Sequence, residues 1–186
     1  MFGLFKNFNY VSFMKGEGYT PSGHSLQWMW EQSDESLEKN HSYIQYMFPL
    51  EKRSLYNPEA PVIRDDEMKA LASSLPAVRN IRTSFNVMYI FWESHGKGYG
   101  EENHNYLRMT RCMRFLKRIG FDREADRLKL LMDTLNKENN VNKKTLKYWE
   151  EAYNEKCLFS EEERKLMERN LEAEKFACMN RTEYER

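Results

Sequence analysis

Residues 41–50 have the sequence HSYIQYMFPL, in which large apolar side chains are mixed with a histidine, a glutamine and two tyrosines. Leu37, four residues before this stretch, has the spacing that places it on one helical face with three residues of the stretch, His41, Ile44 and Phe48. Pro49 ends the helix, because proline has no N–H to donate and disfavours helical geometry at the preceding residue. Ser33 or Asp34 is suited to cap the start. The pattern predicts one central helix that ends at Phe48 and carries polar side chains on an apolar face.

Helical periodicity continues along the rest of the chain. The clearest stripe of period near 3.6 consists of Val78, Ile81, Phe85, Met88, Tyr89 and Trp92. A second two-sided helix is predicted at residues 105–119 and ends at Gly120, a residue type that commonly terminates helices. No hairpin signal is present. We therefore predict an all-α fold, a single compact bundle of about six to eight helices with an irregular, aromatic-rich N-terminal arm.

The length of 186 residues suits one domain of ordinary size, and 40% of the residues are hydrophobic, which is enough to form a core. A polar run at residues 136–144 is typical of a linker. The sequence thus predicts a helical domain at residues 1–135 and a C-terminal helical extension at residues 136–186.

The balance of basic and acidic residues limits the classes of partner that the sequence indicates. The 29 basic and 29 acidic residues cancel, so a general attraction to nucleic acid or to anionic membranes is not indicated. Cys112, Cys157 and Cys178 show no C-x-x-C spacing and are interpreted as reduced core thiols. No apolar run reaches the roughly 18 residues of a membrane span. We expect a soluble protein of the cytoplasm, or of the nucleus if the source is eukaryotic.

Catalytic and metal-binding patterns are weak. His95 and His104 flank a loop with three glycines, whereas a metal site needs histidines held at a fixed spacing. The segment GKGYG at residues 96–100 fits neither phosphate-loop pattern, and loop flexibility explains its glycines better. No nucleophile and base are tied to one place. We expect no metal, no cofactor and no enzymatic activity.

Ordered sequence blocks carry a resemblance to a known family. They are LE at 37–38, YIQ at 43–45, FPL at 48–50, NPEA at 57–60, RTSF at 82–85 and NYLRMTR at 105–111. Together with matches further out, they cover about residues 7–135 and resemble the conserved domain of the opioid growth factor receptor family. The resemblance implies an α-helical domain described as binding a peptide, with no catalytic or contact residues to carry over. The C-terminal repeats of the longer animal members are not seen, so we expect a short member.

Five residues are candidates for ligand binding. They are His41, Tyr43, Gln45, Tyr46 and Trp30. His41 and Gln45 lie one helical turn apart in an otherwise apolar surface and form the centre of the set. Two explanations stay open for His41: it contacts a ligand, or it is a core histidine satisfied by an internal hydrogen bond.

The basic concentration of the chain falls on the second predicted helix and just after it. Its members are Arg108, Arg111, Arg114, Lys117, Arg118 and Arg123. At helical spacing most of them line one exposed side, where they could bind phosphates or an acidic partner. The alternative is a solvated face balanced by neighbouring acids.

These observations favour a non-enzymatic binding or regulatory protein of the opioid growth factor receptor type. Its ligand would be a peptide or protein segment lodged near the helix that ends at Phe48. The alternative function is a nucleic-acid- or ribosome-associated factor that uses the basic helix at residues 108–123.

Overall fold

The computed structural model describes residues 8–184 except 56, 59 and 61, and the side chains of this part up to residue 173. Within it the chain forms ten α-helices and one short 3₁₀-helix, and no strand. The predicted all-α fold is confirmed. The helices outnumber the predicted six to eight because three of the first four have only four or five residues, too short to give a periodic pattern.

The helices have the following bounds. The first five are α1 (Tyr10–Met14), α2 (Leu26–Trp30), α3 (Asp34–Lys39), α4 (Ile44–Met47) and α5 (Asp65–Ala72). The second five are α6 (Leu75–His95), α7 (His104–Ile119), α8 (Asp122–Asn139), α9 (Lys143–Tyr153) and α10 (Glu161–Tyr184). The 3₁₀-helix, Gly96–Gly98, follows α6 directly. None of the helices described here is both long and apolar enough to cross a membrane.

The core lies between α6, α7 and α8. The predicted stripe of α6 faces inward, and Phe85, Met88 and Trp92 are fully buried. Helix α7 packs against both α8 and α9. It ends as predicted at Gly120, which has φ +80°, a left-handed conformation that glycine adopts without a steric cost.

The predicted single central helix is wrong, because the chain breaks at Asn40. Of the two predicted capping residues, Ser33 and Asp34, it is Ser33 that caps α3. Its Oγ accepts a hydrogen bond from the Ser36 N–H. Asn40 then adopts an extended conformation, and its Oδ1 accepts from both the N–H and the hydroxyl of Ser42. Such local side-chain bonds compete with the helix. The second piece, α4, does end before Pro49 as predicted.

The aromatic N-terminal arm packs on the core through a short helix. Tyr10 and Phe13 are buried in α1, whose start is capped by the Asn9 side chain. The ring of Phe8 meets those of Tyr10 and Phe13 at centroid distances of 4.7 and 5.4 Å. Helix α1 thereby covers α5 and α6. The part of the arm before residue 8 lies outside the described residues.

The C-terminal helices continue from the bundle. Trp149 of α9 is buried and donates its indole N–H to the Tyr106 carbonyl oxygen at 3.2 Å. Helix α10 begins with a capping box, with reciprocal bonds between Ser160 and Glu163 of 2.8 and 3.2 Å. The division at residue 135, which falls within α8, stays a prediction. The Cys178 side chain lies outside the described residues, whereas Cys112 is buried and its burial raises its thiol pKa.

Flexibility does not account for the first glycine of the 96–100 segment. Gly96 is buried in the 3₁₀-helix, and its carbonyl oxygen accepts from the Asn139 side chain of α8 at 2.9 Å. A Cβ atom at this position would lie 2.5 Å from Cδ2 of the buried Leu135. A side chain at this position would therefore force the buried Leu135 side chain to move.

Gly96→Ala should lower the free energy of unfolding by about 1–3 kcal/mol, because the added methyl overpacks the contact with Leu135. Gly98→Ala is the matched control, since a Cβ atom there meets nothing within 4 Å. Urea denaturation of the two variants measures the difference. Equal stability of both would show that α8 tolerates a side chain at Gly96.

Candidate ligand-binding groove

Arg108 of α7 is buried, with 5% of its surface exposed. Its guanidinium donates to the carbonyl oxygens of Leu37, Glu38 and Asn40 at 2.8, 3.2 and 2.9 Å. It also donates to the side-chain oxygen of Asn105 at 2.8 Å. The prediction that Arg108 lies on an exposed basic face is wrong. Its charge is used inside the protein to hold the end of α3.

The reason lies in the helix end itself. The last carbonyl groups of a helix have no N–H partner within the helix and need donors from elsewhere. At the end of α3 the guanidinium supplies them, and the Tyr43 hydroxyl adds one more bond to the Leu37 oxygen at 2.9 Å. The guanidinium also lies over the Tyr43 ring, 5.4 Å from its centroid. Burial raises the pKa of Tyr43, so its hydroxyl stays protonated and available to donate.

His41 follows the helix break, and its ring is exposed rather than part of the core. Arg108 Nη2 lies 3.2 Å from His41 Nδ1. Because arginine can only donate, Nδ1 accepts and the neutral ring carries its proton on Nε2. The His41 ring packs edge-on against that of His104, with centroids 4.9 Å apart. His104 in turn has Nε2 3.3 Å from a carboxylate oxygen of Glu38.

Gln45 is buried and is linked to His41 through the backbone, not through the imidazole. With its amide nitrogen facing the preceding turn, it donates to the carbonyl oxygens of His41 and Ser42, each at 2.9 Å. The backbone carbonyl oxygen of Gln45 accepts a hydrogen bond from the Tyr10 hydroxyl at 3.2 Å. Gln45 thus fixes the start of α4, while the His41 ring stays at the surface.

A groove of about 600 Å³ opens between α4, the segment after it, and α7. Its apolar wall consists of Ile44, Leu50 and Leu107, and its neutral polar groups belong to Gln45, Ser54 and Thr110. Its basic residues are His41, His104, Arg108, Arg111 and Arg114. Among the described residues that line it, none is acidic. The groove is therefore lined by both apolar and basic side chains, and Leu107 lies on the same helix as its arginines.

Arg111 of α7 stabilises the groove by binding the end of α4. Its Nε donates to the Phe48 carbonyl oxygen at 2.8 Å, a group that α4 leaves unsatisfied at its end. Burial lowers the pKa of Arg111 to about 10, against the opposing influence of Tyr10. Arg114, one turn further on, has Nη2 3.7 Å from a carboxylate oxygen of Glu151.

The last turn of α7 is balanced by acids. Lys117 Nζ lies 2.7 Å from Asp122. Arg118 pairs with Glu51 and has Nη2 3.3 Å from Asp65. Lys117 and Arg118 therefore do not extend the basic side of the groove, as the balanced-face alternative anticipates for this part of the series.

The five predicted ligand residues do not form one site. His41 and Gln45 line the groove, and Tyr43 lies beneath Arg108. Tyr46 is buried against the Phe8 ring, 5.5 Å away, and Trp30 donates its indole N–H to Ser84 of α6 at 2.9 Å. Sequence reasoning missed Leu107, which has 37% of its surface exposed. The sequence feature that could have identified Leu107 is its position as a leucine next to the arginines of α7.

Over the described residues, the fold and the groove define an all-helical domain with a ligand-sized cleft beside a buried arginine. The family model of the opioid growth factor receptor (OGFr) conserved region matches residues 7–180. The chain belongs to this family.

The individual relatives are distant. The opioid growth factor receptor-like protein 1 of Mus musculus is 28% identical over 110 residues, which cover 50% of this chain and 24% of the relative. The opioid growth factor receptor of Rattus norvegicus is 28% identical over 134 residues, covering 60% and 23%. The matched region thus spans about a quarter of each relative's length. No solved structure matches the chain.

Arg108→Met should lower the free energy of unfolding by about 2–5 kcal/mol, because the part-buried carbonyl oxygens of Glu38 and Asn40 lose the guanidinium as their donor, at about 1–3 kcal/mol each. Arg123→Met, at an exposed position of α8, is the control and should leave stability unchanged. Urea denaturation measures both. A variant at Arg108 as stable as the wild type would mean that water replaces the guanidinium at the end of α3.

The free energy of unfolding should also fall at acidic pH, because His104 becomes protonated. Burial lowers the pKa of His104 below 6.5, Arg108 and His41 add to this, and Glu38 opposes it. The unfolded chain therefore binds a proton first, and the folded state loses stability as the pH falls below about 6.5. His104→Gln should lose less unfolding free energy than the wild type between about pH 7.5 and pH 5.5. An equal or larger loss in the variant would contradict this assignment.

Proposed function

We propose that this protein is a non-enzymatic, regulatory binding protein that holds a peptide or protein segment in the groove between α4 and α7. The single observation that carries the proposal is the groove itself. Its volume of about 600 Å³ falls within the range of ligand sites in proteins, about 300–1,000 Å³. It also contains His41 and Gln45, the centre of the set selected from the sequence.

The walls of the groove are held in place from both sides. Arg108 fixes the segment before α4, and Arg111 fixes the residue after it, so both ends of α4 are bonded to α7. A site that is formed before its ligand arrives loses less conformational entropy on binding. Leu107 and Leu50 then offer apolar surface to side chains of the ligand, and this contact can supply much of the affinity.

The relatives support a peptide or protein partner in general terms. One of them is named a receptor for opioid growth factor, and the other is named for its likeness to that receptor. Because the match covers only about a quarter of each, the activity of those whole proteins is not transferred to this chain.

The nucleic-acid or ribosome alternative has less support. Of the predicted basic residues, Arg108 is buried, and Lys117 and Arg118 are paired with acids. A series of free cations along a surface is what binding to successive phosphates requires.

A displayed library of random peptides tests the proposal. Peptides selected on the wild-type protein should bind the Leu107→Asp variant about tenfold or more weakly. The expected loss is the burial of one apolar side chain, about 1.5–3 kcal/mol. Fluorescence anisotropy with synthetic peptides measures it.

Leu130→Asp is the matched control, because Leu130 has 68% of its surface exposed on α8, outside the groove. Binding to this variant should equal binding to the wild type, and circular dichroism should show that both variants are folded. Selected peptides that bind the Leu107 variant as tightly as the wild type would place the binding site elsewhere.

A further inference from the structure

We propose that the segment held in the groove presents a carboxylate to Arg111 and Arg114, with apolar side chains next to it. This rests on the proposed function and specifies the chemistry of the ligand. The carboxylate is that of an aspartate, a glutamate or a chain end. The apolar side chains lie against Ile44, Leu50 and Leu107.

The first argument is the charge of the groove. It is lined by three arginines, and the described lining residues include no acid to balance them. Arg108 uses its donors on carbonyl, amide and imidazole acceptors, all of them uncharged. Arg111 bonds to a carbonyl oxygen and has no carboxylate within 4.0 Å in the described part of the chain. Buried charges are normally paired, so an anion from outside is the missing partner.

The second argument is the state of the donors. Arg114 Nε is buried and donates to no acceptor in the described part of the chain. Its only carboxylate neighbour there, Glu151, is 3.7 Å away, beyond hydrogen-bond distance. Arg111 uses its Nε on Phe48 and keeps the two Nη groups for other acceptors. Two guanidinium groups one helical turn apart thus have donors available at the same end of the groove.

The third argument separates a carboxylate peptide from other anions. A guanidinium binds carboxylate and phosphate equally well in geometry. The groove, however, is also lined by Ile44, Leu50 and Leu107, which suit apolar side chains rather than sugars or successive phosphates. Beyond Arg114 the cations of α7 are paired with acids, and the chain has no net charge. An acidic and apolar peptide fits this combination.

Two matched sets of short synthetic peptides provide the test. Both contain leucine and phenylalanine at varied positions, one with aspartate and glutamate, the other with asparagine and glutamine at the same places. Anisotropy measurements at low salt should show about tenfold tighter binding of the acidic set, the usual size of a charge-assisted bond. Raising the salt concentration should reduce this advantage.

Variants assign the advantage to the two arginines. Arg114→Gln should remove most of the preference for the acidic set, measured as the ratio of the dissociation constants of the two sets. Arg111→Lys keeps the charge but loses the forked donor geometry, and should reduce the preference in part. Arg123→Gln, at an exposed position outside the groove, should change nothing. Circular dichroism confirms that each variant is folded.

The outcomes separate this inference from the proposed function. If both sets bind equally and Leu107→Asp weakens both, the groove binds peptides but the carboxylate inference is wrong. If neither set binds in a way that depends on Leu107, both are wrong. If a phosphoserine peptide or a single-stranded oligonucleotide binds more tightly than the acidic set, and Arg114→Gln abolishes this, the anion is a phosphate and the inference is overturned.

Discussion

The hydrogen bonds from the Arg108 guanidinium to the end of α3 are the interaction on which the rest of this structure depends. They satisfy three carbonyl oxygens that a helix ending in the protein interior would otherwise leave unpaired. With these bonds made, the chain can stop α3 at Lys39, turn at Asn40 and start α4 in a new direction. Without them, the carbonyl oxygens of Glu38 and Asn40 would lose the guanidinium as a donor, while that of Leu37 would keep the Tyr43 hydroxyl. One side chain of α7 therefore sets the path of the N-terminal third over the bundle.

The same arrangement creates the groove and its charge. Arg108 and Arg111 are placed where they support backbone carbonyls before and after α4, and both use neutral acceptors for this purpose. Their positive charge is consequently not cancelled within the described part of the protein. Burial already disfavours this charge, as the lowered pKa of Arg111 shows. The arginines that support the backbone therefore also give the surface between α4 and α7 a positive electrostatic potential, next to leucine side chains of the groove.

The match to the opioid growth factor receptor conserved region extends from before α1 into α10. It covers the aromatic arm, the groove and α9, whose Trp149 is bonded to the backbone of α7. The helices after residue 135 are therefore part of what the family has in common. The distant relatives match over only about a quarter of their own length.

The sequence by itself determined the helices that bury a continuous stripe: α6, α7 and α8, with the Gly120 end and the Ser160 cap. These features depend on residues within a few positions of one another, and local periodicity and caps report them directly. It also pointed to His41 and Gln45. Only the tertiary structure decided that the central helix is split, that Arg108 is buried and that Gly96 packs closely against Leu135. Each of these depends on a distant partner, such as the carbonyl groups that lie 68 to 71 residues before Arg108. A basic residue at helical spacing has the same pattern whether it meets water or a carbonyl oxygen, so the packing of α3 against α7 had to be known first.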